Sequence, residues 1–501
     1  MTALRRNILA NYAGQAWIAL VTVVFAPLYI RVLGMEAFGL VGLMLSIQSL
    51  SFLLDFGLGG TLNREISRRI HAHDRAGSLR TLVRSCELII WPLALAIALV
   101  IWLASSPLAD DWLHPEVLTR AETAHAITLM GLAVALLWPS NFYANGLSGL
   151  ERQPLLNLIQ VVCATLRGAG VLAVLYWVSP TLSAFMWWYA AVGAAQSAVS
   201  AFVFWRALPA GERPRFSLDE LKGARRFAGG LATISVLAVA VMQLDRVVVS
   251  FLRPLEELGY FSLALSVAAG LGRMIQPMFN ALYPRYSRLV AKGEQAALVH
   301  LYHLTNQYLA IMIASVGAVL VLFSRDVIYL WTGDAALAAR TAAPLAILAA
   351  GTALNGLMNL PYALQLAHGW TRLTVATNLG ALILGIPFCI WAVMAYGIEG
   401  AAFMWFATNL GFVAVGIPLM HRRLMRGEMA SWYVKDVLPP ILASAAVTLA
   451  VRWLIPTLSR DLAGLALLAI VSGASLAAAA LAAAPVRAHL SRWFGASVRR
   501  A

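Results

Sequence analysis

The sequence predicts an all-α polytopic membrane protein of about fourteen transmembrane helices, arranged as two pseudo-symmetric six-helix bundles followed by two C-terminal helices. Three observations predict it. The 501 residues are 61% hydrophobic and 12% charged, where a soluble domain is roughly a quarter charged. Apolar runs of about 20 residues, long enough to cross a bilayer, recur along the chain with short polar joints. The chain also repeats itself. Arg5-Arg6 recurs as Arg225-Arg226, and the same offset, with no gap, pairs Glu36 with Glu256, Gly39 with Gly259, Leu43 with Leu263, Ser46 with Ser266, Leu62 with Leu282, Ser67 with Ser287 and Arg68 with Arg288. A weak internal repeat in a very apolar chain points to two related halves around a shared pathway, an architecture common among transporters.

The elements follow in order. The first span, 8–30, contains Asn11, Gln15 and Pro27. It is too long for a signal-peptide h-region and lacks a small-residue cleavage site, so it reads as a retained helix. Spans at 38–60, 84–104, 125–149, 155–178 and 182–205 complete a first bundle over 1–206. The joint 207–226 carries Pro209, Gly211 and Pro214, then Ser217-Leu-Asp-Glu220. That last spacing is a capping box, which predicts a short cytoplasmic helix from about residue 218 feeding span seven. Spans at 227–252, 258–283, 305–323, 341–366, 373–396 and 398–420 form the second bundle over 227–421, with Pro344 and Pro361 interrupting the fourth of them. Six is even, so both bundles enter from one side and the repeat is parallel. Spans 437–455 and 462–484, within the segment 422–501, fall outside the repeat. They are rich in Ala and other small residues, which permits close helix packing. The tail from Ser491 to Arg500 is basic, with Trp493 and Phe494 as interfacial anchors.

The formal charge is +14. With the N-terminus inside, the inside joints and tails hold 26 of the 37 Lys and Arg, the outside joints 6 and the spans 5. That asymmetry is the positive-inside rule and places both termini in the cytoplasm. The basic excess therefore reads as topology and contact with anionic lipid head groups, not as a nucleic-acid face. The outside joint 105–124 carries Asp110, Asp111, Glu116 and Glu122 against Arg120, which fits the orientation but adds little to it. Cys86, Cys163 and Cys389 lie in or at the edge of apolar spans without metal-ligand spacing, and read as buried free thiols.

Two motifs echo each other in the fourth and tenth spans: Asn141-Phe-Tyr-Ala-Asn145 and Asn355-Gly-Leu-Met-Asn359. Each pair is spaced i, i+4, so both amides share a helix face. Pro139 precedes one pair and Pro361 follows the other. Proline in a membrane helix frees a carbonyl and kinks the axis.

The stretch from Asn7 to Arg69 (NILANYAGQAW…PLYIRVLGMEAFGLVGLMLSI…LLDFGLGGTLNREISRR) resembles the start of the Wzx-type polysaccharide flippases, of the multidrug/oligosaccharidyl-lipid/polysaccharide exporter superfamily. In the second half, Gln243-Leu-Asp-Arg246, Glu257-Leu-Gly-Tyr260 and Leu282-Tyr-Pro-Arg285 carry the same likeness. The resemblance covers roughly residues 5–420. It implies a central cavity with alternating access and a polyprenyl-diphosphate-linked oligosaccharide as substrate, moved from the cytoplasmic to the periplasmic leaflet of a bacterial inner membrane for surface polysaccharide such as O-antigen. It implies no cofactor beyond proton or sodium coupling. Implied partners are the lipid-linked oligosaccharide, membrane lipids, and polysaccharide polymerase and assembly proteins.

The buried charges are read against that expectation. An Arg at a helix centre costs about 2.5–3.5 kcal/mol on insertion scales. Arg167 and Arg273 lie near the middles of their spans, so each faces either a wet cavity or an acidic partner. A diphosphate is anionic, and guanidinium groups bind it bidentately. Arg246 and Arg84 are further cavity candidates. Arg246 adjoins Asp245, and Arg84 sits near a span end, where snorkelling is cheap; Arg31 is explained the same way, and Arg452 ranks below them. The two Asn pairs, at 141/145 and 355/359, suit either sugar hydroxyls or interhelical bonding. Gln48, Gln160, Gln243, Gln276, Asn280 and Asn378 add to the polar signal without singling out a position. Asp55 and Asp245 are the carboxylates deepest in spans, and stand as coupling sites or as salt-bridge partners. His300 and His303, at i, i+3, read as a solvated helix face, since no acid or Cys nearby completes a metal site.

Three function classes compete. A lipid-linked oligosaccharide flippase needs a polar path, because unpaired sugar hydroxyls cannot cross hydrocarbon. A multidrug cation antiporter would want buried carboxylates, yet span one has none and the deep spans hold more Arg than acid. A lipid II flippase has the same charge logic as the first. A membrane enzyme would want a large outer loop, a phosphate loop, a zinc motif or a nucleophile elbow, and none is found. The sequence therefore predicts a transporter and not an enzyme.

Overall fold

The computed structural model describes residues 2–51, 58–69, 76–209, 214–484 and 487–488. All its regular structure is helical among these residues. The chain divides into two compact units, Met1–Gly259 and Tyr260–Ala501. Nine helical segments among the described residues are long and apolar enough to cross a membrane, with two shorter apolar helices at Leu20–Leu33 and Met35–Ser51. One of the nine, Arg372–Leu424, is a single run through Gly397. There the backbone turns to φ 62° and ψ −140°, a left-handed excursion that glycine makes at little cost. The break falls between the expected spans 373–396 and 398–420.

The first unit holds α1 (Thr2–Leu33), α2 (Met35–Ser51), α3 (Leu58–Arg69), α4 (Ala76–Pro107), α5 (Arg120–Leu137), α6 (Pro139–Gly149), α7 (Gln153–Trp177), α8 (Leu182–Ala207) and α9 (Leu218–Leu252). A π-helical turn, Leu108–Trp112, extends α4. Pro139 opens α6 as its first residue and so separates it from α5, as expected where a proline removes the donor that would continue the ladder. Leu62, Ile66, Val83, Cys86, Tyr143, Leu147 and Phe204 form the core that joins α3, α4, α6 and α8. The helix expected from residue 218 begins there, but it runs unbroken to Leu252 instead of ending as a short segment.

α10 (Leu255–Lys292) begins in the first unit and continues into the second. Its first turns cross α2 very closely. A Cβ on Gly39 would collide with the carbonyl oxygen of Leu255, and a Cβ on Gly259 with that of Met35. The offset that pairs Gly39 with Gly259 also pairs Met35 with Leu255. The repeat seen in the sequence thus reappears as a reciprocal backbone contact. Beside it, the Glu36 carboxylate accepts the backbone N–H groups of Glu116 (2.5 Å), Val117 (2.9 Å) and Leu118 (2.8 Å), and Leu255 N–H donates to the carbonyl of His114. The α4–α5 connection is stapled to both helices by these bonds.

The second unit continues with α11 (Gln295–Leu322), α12 (Ser324–Thr332), α13 (Ala335–Ala367), α14 (Arg372–Gly411), α15 (Ile417–Leu424), α16 (Met429–Ser431), α17 (Leu438–Leu454) and α18 (Leu462–Ala482). α13 runs through Pro344 and Pro361 without ending. Tyr286, Tyr302, Leu309, Leu360, Ile417, Met420 and Trp432 form its main core. α17 and α18 pack on α11 through small residues, as their composition predicts. Ser444 Oγ donates to the carbonyl of Ala314 (2.9 Å) and lies 2.6 Å from Ser475 Oγ, to which Thr448 Oγ1 donates at 3.2 Å. Arg452 bonds Asp326 (2.6 Å), which also accepts Leu458 N–H, so this Arg is an interhelical tie. Asp461 caps α18, and the Gly464 N–H it accepts holds its carboxyl below the usual carboxylate range.

Candidate substrate-path residues

In the first unit Arg167 projects from α7 toward α8. Its Nη2 donates to Gln196 Oε1 (2.9 Å), and its guanidinium lies 5.5 Å from the Tyr189 ring. Tyr189 stacks on Phe185, whose ring meets Tyr29 edge-on. Tyr29 in turn donates to the carbonyl of Gly168 on α7. An amide and a ring position this charge without neutralising it. Arg84 pairs with Glu87 across one turn (3.1 Å). Arg246 donates from Nη1 to Ser46 (3.0 Å), while its Nε is buried with no partner among the described residues. Asp245, 2% exposed, accepts the backbone N–H of Arg246 (2.7 Å) instead of pairing with its side chain. Asp55 lies outside the described residues.

α6 buries Phe142, Tyr143, Gly146 and Leu147. Asn141 and Asn145 share its half-buried face, and Asn145 donates to the carbonyl of Asn141 (2.9 Å). In the second unit Asn355 donates to Asn409 Oδ1 on α14 (2.8 Å), and Asn359 reaches back to the carbonyl of Asn355 (3.2 Å). The Asn355 contact is interhelical bonding of the expected kind.

Arg273 is exposed at mid-helix on α10 and has no hydrogen-bond or ion-pair partner among the described residues. Gln276 and Asn280 follow on the same side, bonded to each other at 3.2 Å. The opposite side of α10 buries Leu271, Ile275, Leu282 and Tyr286.

Residues 4–290 match the family described as polysaccharide biosynthesis protein. The chain belongs to that family. It is 22% identical over 413 residues to a Shigella flexneri protein named "Putative O-antigen transporter", covering 80% of this chain and 93% of the relative. Its fold is similar to those of two solved structures: a multidrug resistance MATE family transporter of the MOP superfamily, solved in an inward-facing conformation (15% identity, TM-score 0.68, 84% of this chain and 95% of that one), and the lipid II flippase MurJ, solved in an inward closed conformation (12% identity, TM-score 0.68, 95% and 98%). The family expected from Asn7 to Arg69 is the one found.

Several polar groups were not legible in the sequence of this family member. Glu87, 5% exposed, accepts Tyr143 OH (2.9 Å) and Trp205 Nε1 (2.6 Å) besides Arg84. His303 is not on a solvated face. It is wedged between Asp436 and Glu428, bonding the first through Nδ1 and the second through Nε2 (3.0 Å), and Gln307 donates to the other oxygen of Asp436 (2.8 Å). Those acids lie far along the chain, so local spacing could not reveal them. No group of three or more metal-ligating side chains suited to a metal ion occurs among the described residues. The three cysteines are buried, as expected, and none forms a disulfide among the described residues.

Proposed function

We propose that this protein is a flippase that moves a polyprenyl-diphosphate-linked oligosaccharide from the cytoplasmic to the periplasmic leaflet of a bacterial inner membrane, for surface polysaccharide such as O-antigen. In this reading fourteen spans form two six-helix bundles, over 1–206 and 227–421, that alternately open a polar path, and two further helices follow. Both termini are cytoplasmic, and the polymerase and assembly proteins of the same polysaccharide are its partners.

One observation carries the reading. Arg167 and Arg273 lie mid-span with no carboxylate partner among the described residues. Facing acyl chains, the two would cost about 5–7 kcal/mol; facing a hydrated path, they supply the charge that a diphosphate needs. The same fold serves transporters of other cargo, so the sign of the charge decides between them. The name of the Shigella flexneri relative, an O-antigen transporter, and the family description support a glycan cargo. Among the described residues the Asp245 carboxylate accepts the backbone N–H of Arg246 and no side-chain cation within hydrogen-bonding distance, which supports keeping it, with Asp55, as a coupling candidate.

The test is flipping of a polyprenyl-diphosphate-linked glycan in proteoliposomes. Loss of a charge-assisted bond to phosphate costs about 1.5–3 kcal/mol, so Arg273→Ala and Arg167→Ala should each slow flipping by about 10- to 100-fold, with Lys restoring part. Full-rate flipping by both well-folded Ala variants contradicts the assignment. Transport of ethidium-like cations blocked by Asp55→Asn contradicts the function itself.

A further inference from the structure

The open face of α10 holds more than Arg273. Positions 273, 276, 280 and 283 recur at helical spacing on one side, and Arg273, Gln276, Asn280 and Tyr283 are all exposed, Tyr283 at 37%. Tyr283 lies beside Phe279, with ring centroids 6.0 Å apart and planes within 9°. Phe279 in turn lies beside Tyr362 of α13, at 5.9 Å and 19°. The result is a run of three near-parallel rings next to a pair of amides, with a guanidinium about 15 Å along the axis from Tyr283 at 1.5 Å per residue.

Each part has a chemistry. A guanidinium without a carboxylate partner suits a phosphate. Two amides bonded to each other keep spare donors and acceptors for hydroxyls. Aromatic faces carry negative potential, which attracts the weakly positive C–H face of a sugar ring. Acyl chains would leave the amides unsatisfied at several kcal/mol per group, so this face is not built for lipid. A flat cationic drug would gain from the rings but be repelled by Arg273.

We propose that this face is the glycan-binding platform. A sugar ring packs on Phe279, Tyr283 and Tyr362, Gln276 and Asn280 bond its hydroxyls, and Arg273 holds the diphosphate. The proposal rests on the transport reading above and adds which residues recognise the sugar as opposed to the carrier.

The test uses the full chain in nanodiscs and two probes: undecaprenyl diphosphate without sugar, and the same carrier bearing a linear N-acetylglucosamine oligosaccharide long enough to reach from Arg273 to Tyr283. The parent should bind the sugar-bearing probe about tenfold more tightly than the bare one. Tyr283→Ala and the paired change Gln276→Ala/Asn280→Ala should erase that difference while leaving the bare-carrier affinity within about twofold. Tyr283→Phe should retain it, since the ring and not the hydroxyl does the packing. Equal affinity of the parent for both probes overturns the platform, as does an equal loss for both probes in the variants. Failure of the parent to bind either probe is a separate result, which overturns the transport reading and the platform with it.

Discussion

At the residue scale, the polar groups divide by whether their partners were near in sequence. The Asn pairs were legible because i, i+4 spacing fixes a shared face. The partners of Glu87 and Asp436 were not. Glu87 sits one turn from Arg84, but its other donors come from Tyr143 on α6 and Trp205 on α8. Three helices therefore meet at one carboxylate. Glu87→Ala leaves Tyr143 OH and Trp205 Nε1 without their acceptor, and an unsatisfied buried group costs about 1–3 kcal/mol. The variant should lower the melting temperature of the detergent-purified protein clearly, and Glu87→Gln, which keeps an acceptor, should lower it less. Equal melting of parent and Ala variant would show that this carboxylate does not hold the three helices together.

At the element scale, the repeat was legible as paired letters, but its physical meaning came only from the crossing of α2 and α10. Gly39 and Gly259 are small because each faces the other segment's backbone carbonyl. Such an approach recurs in membrane helices wherever backbones must touch. The sequence also located the break at Gly397 and the helix from residue 218. It did not foresee that α9 is continuous, because a capping box marks where a helix starts and says nothing of its length. The span expected at 341–366 lies within α13, which passes through Pro344 and Pro361, as neighbouring helices in a membrane can accommodate. Gly39→Ala and Gly259→Ala should each destabilise the protein by about 1–3 kcal/mol, the ordinary cost of forcing extra volume into a packed contact. Because both report on one crossing, the double variant should lose less than the sum of the singles. Strict additivity in thermal melting would mean that the two glycines act independently.

At the scale of the whole molecule, the charge pattern is the most transferable information in the chain. Side-chain geometry plays no part in it, only the count of Lys and Arg on alternate joints, which stands at 26 against 6. Orientation during insertion depends on that count in short loops, so the prediction holds whatever the cargo proves to be. A fluorescent protein fused after Ala501 should fluoresce, since it folds in the cytoplasm. Alkaline phosphatase fused within the joint at 179–181 should be active, since it needs the oxidising outer side. Fusions in the joint 207–217 separate this topology from its inverse most cleanly. That joint carries Arg213 and Arg215 and joins α8 to α9, so phosphatase activity there would reverse every span. The path residues would then meet their cargo from the opposite leaflet, and the direction of transport would have to be reassigned even if Arg167 and Arg273 kept their roles.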